Sequence, residues 1–292
     1  MSPMAAAPDS RPTLARALRD ASARLAEASD SPGLDAELLL ACALGRTRSH
    51  LHAWPERQLD AASAGRFADL VRRRARGWPV AYLTGRREFW SLSLEVTPDV
   101  LIPRPETETL VEAALACLPP DAPLRLLDAG TGSGAIALAL ASERPAWRLL
   151  ACDRSAPALA VARRNRDRLG LARRVGLVRS DWCAAFAPGS LDAIVANPPY
   201  VADADPHLER GDVRFEPVGA LRAGPDGLAA IQRLVQQAPR CLRPGGWLLL
   251  EHGWDQGAAV RRLLRRAGFR AVATRRDPAG RERVGLGRWI RS

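Results

Sequence analysis

The chain has 292 residues, 47% hydrophobic and 26% charged, the balance of a globular protein with one large or two ordinary domains. No apolar run approaches the roughly 18 residues that a membrane helix needs, which sets aside a bilayer-spanning class. The net charge of +11 admits a nucleic-acid partner, yet all 43 basic residues are arginine, so a bias in composition explains the charge as well as selection for phosphate does.

The opening stretch "MSPMAAAPDSRPTLARALRD" has no apolar core segment and mixes its arginines with Asp9 and Asp20, so no signal peptide is expected. Leu14, Leu18 and Leu25 recur at helical spacing. "LDAELLLACALG" follows a Ser31-Pro32 start, and "AASAGRFADLVRRRARG" ends at Gly77. Residues 1–78 therefore read as a small helical bundle, in which short amphipathic helices must pack on one another. His50 and His52 fall in a polar connection of this part. From 79 to 105 the pattern changes: "REFWSLSLEVTPDVLIPRP" alternates apolar and polar residues and then meets three prolines, which predicts a β-hairpin or extended connector.

Residues 106–292 alternate between strand and helix. "LRLLDAG", "WRLLACD", "VGLVRSD", "LDAIVAN" and "WLLLEHG" read as strands, separated by "AIALALASERP", "APALAVARRNRDRLG" and "GLAAIQRLVQQAPRCLR". Pro244-Gly245-Gly246 reads as a turn before the last of these strands. This alternation predicts an α/β fold with a mostly parallel sheet covered on both faces. After the helix "GAAVRRLLRRAG", the segments "RAVATRRD" and "ERVGLGRWI" read as an antiparallel hairpin at the C-terminal edge of the sheet. Arg261, Arg262, Arg265, Arg266, Arg270, Arg275 and Arg276 crowd this end and leave weak contact with RNA open. Cys42, Cys117, Cys152, Cys183 and Cys241 are odd in number and far apart, with no metal spacing, the pattern of reduced thiols in the cytoplasm.

Two stretches carry chemistry. In "LDAGTGSGAIAL", Gly130, Gly132 and Gly134 fall between the first strand of the sheet and its helix, with Thr131 and Ser133 between them. Glycine there allows tight turns and close approach of a ligand to the main chain beside a helix N-terminus. Asp153 ends the next strand, nineteen residues beyond Gly134, where an acidic group can accept both hydroxyls of a ribose. The dinucleotide fingerprint places its third glycine one residue later. The spacing here, opened by Asp128, resembles the first motif of class I methyltransferases that use S-adenosylmethionine. Asp128 suits either the ammonium of such a ligand or the loop's own amides. Trp182, after Asp181 at the end of the third strand, suits either an adenine face or plain packing.

The second stretch, "LDAIVANPPYV", breaks an apolar run with Asn197-Pro198-Pro199-Tyr200. The fold would put Asn197 at the carboxyl edge of the sheet, where open α/β sheets bind ligands. A residue before proline is pushed to extended geometry, so Asn197 and Pro198 are both held out of helix. The result is a stiff ledge that offers the Asn197 side-chain oxygen and the Pro198 carbonyl side by side. Two such acceptors suit an NH₂ group with two hydrogens to give. Tyr200 can lie across a planar target. An amide nitrogen is a poor nucleophile, so orientation and support of developing positive charge are what a site can supply.

At "PVAYLTGRREFWSL", "LIPRPETE", "LDAGTGSGAIALALASERP", "SDW", "NPPY", "GDVRFEP", "LLLEHGW" and "RERVGLGR" the chain closely resembles the HemK family of protein-(glutamine-N5) methyltransferases, which modify peptide chain release factors. The likeness covers most of residues 79–288. It implies a class I methyltransferase Rossmann-like fold, preceded by the small helical domain, and S-adenosylmethionine as cofactor. It further implies methylation of the glutamine in a Gly-Gly-Gln loop of release factors. By the family pattern Gly130 to Gly134, Asp153, Trp182 and Asn197 contact the cofactor, Asn197 to Tyr200 hold the glutamine, and the helical domain helps dock the release factor. Two other substrates fit the same corner: a glutamine of a ribosomal protein, and an exocyclic amine of RNA or DNA. The latter needs base flipping and usually a sizeable recognition domain, for which the chain shows no motif.

Overall fold

The computed structural model describes residues 11–209 and 211–290; the first ten residues of the stretch read for a signal peptide lie outside them. The chain divides between Gly85 and Arg86 into two compact units.

The first unit is helical: α1 (Leu14–Leu25), α2 (Pro32–Leu44), α3 (Arg48–Ala53), α4 (Ala61–Ala75) and α5 (Val80–Thr84). Caps set the starts. The Thr13 hydroxyl accepts from the Arg16 amide, and the Asp60 carboxylate accepts from the Ser63 amide at 2.8 Å. Gly45, in the left-handed region at φ +62°, ends α2. Leu14, Ala17, Ala21 and Leu25 form the buried stripe of α1, spaced three to four apart, and pack with Leu39, Leu40, Phe67 and Val71. A buried ion pair, Arg74 Nε to Asp35 Oδ2 at 2.6 Å, ties α4 to α2. The unit is longer than the sequence suggests. Val80–Thr84, read there as the start of an extended connector, is a helix that follows Pro79 and stops at Gly85.

The second unit opens on a hairpin, β1 (Arg86–Phe89) and β2 (Leu92–Glu95). Its two-residue turn, Trp90-Ser91, has positive φ at both positions, a conformation that usually selects Gly or Asn. Tertiary bonds hold it: Trp90 donates its amide to Glu108 and its indole N–H to Glu143, each at 2.8 Å. Then follow α6 (Glu108–Cys117), β3 (Arg125–Ala129), α7 (Ala135–Glu143), β4 (Arg148–Asp153), α8 (Ala156–Arg168), β5 (Val175–Arg179), β6 (Leu191–Ala196), α9 (Ala229–Cys241), β7 (Leu242–Glu251), α10 (Gly257–Arg266), β8 (Phe269–Arg276) and β9 (Glu282–Trp289). Strands β3 to β9 form one sheet in the order β5-β4-β3-β6-β7-β9-β8. The first five are parallel to one another. The last two are antiparallel, with β9 inserted between β7 and the edge strand β8.

Burial explains the sequence pattern. Every residue of β6 is buried, as are Ala135 to Ala141 of α7, because helices cover both faces of the sheet. Pro244-Gly245-Gly246, read as a turn before the strand, lies within β7. Leu242 pairs with Leu191 and Trp247 with Ala193, so the turn is an excursion inside a strand already in register. Among the described residues no helix is long and apolar enough to cross a membrane.

Topology fixes where a ligand can sit. From β3 the chain steps outward through β4 to β5, then returns to lay β6 on the other side of β3. The connections leaving β3 and β6 therefore diverge, and a crevice opens between the carboxyl ends of these two strands.

Candidate active site

The loop after β3 forms one wall of that crevice. Gly130 and Gly132 have φ of +78° and +55°, values that side chains rarely adopt. A Cβ at Gly130 would stand 3.1 Å from the Trp182 ring, whereas one at Gly132 would meet nothing within 4 Å. Gly132 thus turns its bare backbone towards open space. The amides of Gly130 and Thr131 both donate to the Cys152 carbonyl, at 2.9 and 2.8 Å, which pins the loop across β4. Asn165 of α8, fully buried, donates to the Ser133 carbonyl at 2.9 Å and exchanges two bonds with the main chain of Glu95.

Two acids flank the loop in different ways. Asp153 lines the crevice, with one oxygen accepting from the Gly132 amide at 3.0 Å and the other from the Ser155 amide at 2.9 Å. Each oxygen keeps a lone pair in hand. Asp128 stands behind the loop, away from the crevice wall. Its Oδ2 accepts from the Thr131 hydroxyl at 2.6 Å and the Ala137 amide at 3.1 Å, while its buried Oδ1 has no partner. Burial pushes its carboxyl up to about 7, against the pull of the Thr131 and Ala137 bonds. Of the two readings offered by the sequence, this geometry favours the brace.

The crevice holds a cavity of about 550 Å³, within the usual range for small-molecule sites. Its lining brings together Gly130, Thr131, Gly132, Ser133, Asp153, Trp182, Asn197 and Pro199 from the carboxyl ends of four strands, β3 to β6. Trp182 has φ of +52° and lies against Gly130, and Asp181 beside it is paired with Arg233. A backbone held in that region for a bulky residue stores strain that its surroundings must sustain.

Asn197 follows the last residue of β6. A second pocket, of about 210 Å³, shares Asn197 and Pro199 with the first and adds Pro198, Tyr200, Arg104 and Leu208. Asn197 and Pro199 of the corner, with Leu101 and Ala220, therefore belong to both pockets, while Pro198 and Tyr200 face the smaller one. Asn197 donates from Nδ2 to the Thr107 hydroxyl at 3.1 Å. The amide is thereby oriented, with Oδ1 left as its free acceptor. The Tyr200 hydroxyl donates to Glu251 at 3.1 Å, at the end of β7, and the Tyr200 carbonyl accepts from Gln256 at 3.0 Å. Opposite the corner, the strap that carries Ile102 and Arg104 is held by Glu216, which accepts from the Ile102 amide at 3.2 Å and pairs with Arg104.

The sequence reading assembled the glycine loop, Asp153 and the corner, and the structure brings them to one crevice. It overlooked Thr107, Asn165, Glu216 and Glu251. Three of these lie in stretches that carry the family resemblance, "LIPRPETE", "GDVRFEP" and "LLLEHGW". The signal was present, but nothing in one sequence shows that residues 107, 197, 200 and 251 converge.

A mostly parallel seven-stranded sheet with an antiparallel end, a glycine loop after its first strand and a crevice at its switch point define a methyltransferase of the class I, Rossmann-like kind. Residues 108–211 match the family described as methyltransferase small domain, and residues 16–85 that described as PrmC N-terminal domain. A methyltransferase from Pyrococcus furiosus shares the fold, with a TM-score of 0.51 at 19% identity, over 68% of this chain and 90% of its own. The release factor glutamine methyltransferase of Pseudomonas aeruginosa is 54% identical over 262 residues, 89% of this chain and 94% of its own length. That of Escherichia coli is 50% identical over 272 residues, 93% and 97% of the two chains. The chain belongs to the family of release factor glutamine methyltransferases.

Proposed function

We propose that the protein transfers a methyl group from S-adenosylmethionine to the side-chain amide nitrogen of the glutamine in the Gly-Gly-Gln motif of peptide chain release factors. The observation that carries this reading is the shared wall: Asn197 and Pro199 line both the 550 Å³ cavity and its 210 Å³ neighbour. A donor on one side and an acceptor on the other would meet across the corner.

The larger cavity fits the cofactor on its own terms. Gly132 faces open space, so the main chain can be approached closely, and Asp153 keeps lone pairs for a pair of ribose hydroxyls. Gly130, Thr131, Ser133 and Gly134 would shape the loop around it, and Trp182 would offer a face to the adenine. Asp128 would act through the loop it braces. When bound, S-adenosylmethionine supplies an electrophilic methyl on a sulfonium.

The rest falls to the chain's own residues. Asn197 Oδ1 and the Pro198 carbonyl accept the two hydrogens of the glutamine NH₂ and so aim its nitrogen lone pair. As the nitrogen takes on positive charge these two preorganised acceptors support it, which is the term that counts for a weak nucleophile. Tyr200, its ring fixed by the bond to Glu251, sets the tilt of the planar amide. Pro198 and Pro199 keep the ledge rigid, since neither can enter a helical turn. The surplus proton leaves from the cationic product, so no general base is required beforehand.

The helical unit would help to dock the release factor. All five cysteines are free, consistent with our placing the enzyme in the cytoplasm, beside its substrate. The test is an acceptor panel with labelled cofactor: a release factor, the same factor with its Gly-Gly-Gln glutamine replaced, a ribosomal protein fraction, RNA and DNA. Label on the intact release factor alone is expected. Label on nucleic acid or ribosomal protein would keep the chemistry and overturn the substrate.

A further inference from the structure

Glu251 enters the methyl transfer above only as the partner of the Tyr200 hydroxyl, through one of its two oxygens. It is only 1% exposed, lies at the end of β7, and its Oε2 has no hydrogen-bond partner. An unpaired oxygen on a buried carboxylate is expensive unless a donor reaches it. Two hydroxyls face this carboxylate. Tyr200 donates to its Oε1 at 3.1 Å, and Thr107, also buried, adjoins it. Thr107 in turn receives the Asn197 Nδ2–H at 3.1 Å.

We propose that Glu251 is a positioning residue of the transfer: its unpartnered Oε2 is the oxygen to which the neighbouring Thr107 hydroxyl turns, ending a relay from Asn197 Nδ2–H through Thr107 Oγ–H, while Oε1 holds the Tyr200 hydroxyl. The inference rests on the role given to Asn197 above and deepens it. Ionised, Glu251 only accepts, so both hydroxyls spend their single proton on it. Thr107 then presents only lone pairs to Asn197, and the carboxamide must turn its NH₂ inward. That leaves Oδ1, and never Nδ2, facing the substrate. With the amide flipped, the ledge would offer a donor to a donor, and the glutamine NH₂ would lose one of its two anchors. Burial raises the pKa of Glu251, against the pull of the Thr107 and Tyr200 hydroxyls and Arg283, so the relay operates above that raised value, where Glu251 is ionised.

Substitutions at the two ends of the relay distinguish positioning from packing. Thr107→Val keeps the shape and removes the hydroxyl, Thr107→Ser keeps the hydroxyl, and Glu251→Gln replaces one carboxylate oxygen by an NH₂ donor. With wild type active on the release factor, Thr107→Val and Glu251→Gln should lower kcat on the order of 10- to 100-fold. Cofactor Kd and KM for the release factor should stay near wild type, and Thr107→Ser should retain most of the rate. In an Asn197→Ala background Thr107→Val should have no further effect, because Thr107 acts through Asn197. Unchanged kcat in Thr107→Val, equal loss in Thr107→Ser, or a full extra loss on top of Asn197→Ala would each overturn the relay. A readout that needs no acceptor keeps this apart from an error in the substrate. With ¹⁵N-labelled asparagine, the Asn197 side-chain NH₂ should exchange slowly in wild type and rapidly in Thr107→Val. Identical exchange in the two proteins would refute the inward-facing NH₂.

Discussion

Asp153 shows how a single side chain is readied for a ligand before the ligand arrives. The Gly132 and Ser155 amides hold its two oxygens in place, so binding need not order the carboxylate. Asp153→Ala should weaken cofactor binding by about 1.5–3 kcal/mol, the usual contribution of hydrogen bonds to a charged group, as titration calorimetry would read. An unchanged Kd would remove Asp153 from the ribose site. At this scale the sequence was informative wherever a residue type is rare for its place, such as three glycines in five residues or Asn before two prolines. Asp128 was harder. An acid before the glycine loop serves a ligand or the loop equally well in one dimension, and only its bonds to Thr131 and Ala137 separate the two.

Elements fix the site through bonds between them that no local pattern predicts. Asn165, on the inner face of α8, reaches the β1–β2 hairpin through Glu95 and the glycine loop through Ser133. Read in sequence it is one polar residue in "ARRNRDRLG". Buried with every bond made, it joins three elements. Asn165→Ala should leave buried main-chain groups unpaired and lower stability by about 1–3 kcal/mol per group. The same change should weaken cofactor binding by loosening the loop. Denaturant unfolding and calorimetry would check both, and a variant as stable as wild type would show the bonds to be replaceable by water. The strands and helices of the sheet were legible because their apolar runs are long and buried on both faces. Val80–Thr84 was not, because five residues are too few to show a period. The Trp90-Ser91 turn was equally opaque, since its conformation is imposed by Glu108 and Glu143.

Across the whole molecule, buried acids couple the site to folding. The Asp128 carboxyl titrates near 7 in the folded protein, against about 3.9 in an unfolded chain. Between those values the folded state keeps a proton that the unfolded state has released. The stability this contributes is fully present below about pH 4 and is lost as pH rises through about 7. Glu216 and Glu251, raised by burial, act in the same direction. His252, lowered by burial, acts in the opposite one. Asp60, Asp205 and Asp277 are lowered, so the stability they contribute is present above the usual carboxylate range and is lost only in acid. Asp128→Asn isolates one contribution: its stability relative to wild type should grow as pH rises from about 5 to about 8. Thermal unfolding of the two proteins across that range would show it, and parallel curves would contradict the shift. The architecture was legible at this scale because strand-helix alternation leaves few topologies. The crevice followed from it, since the switch point lies where β3 and β6 part.

The Asn197 corner as a clamp for a planar NH₂ is tested most directly by single-turnover transfer with Asn197→Ala at saturating cofactor. Loss of one preorganised polar contact should slow transfer to the release factor on the order of 10²–10³-fold while cofactor affinity changes little. Transfer at the wild-type rate, or a slow rate fully explained by lost cofactor binding, would contradict the clamp.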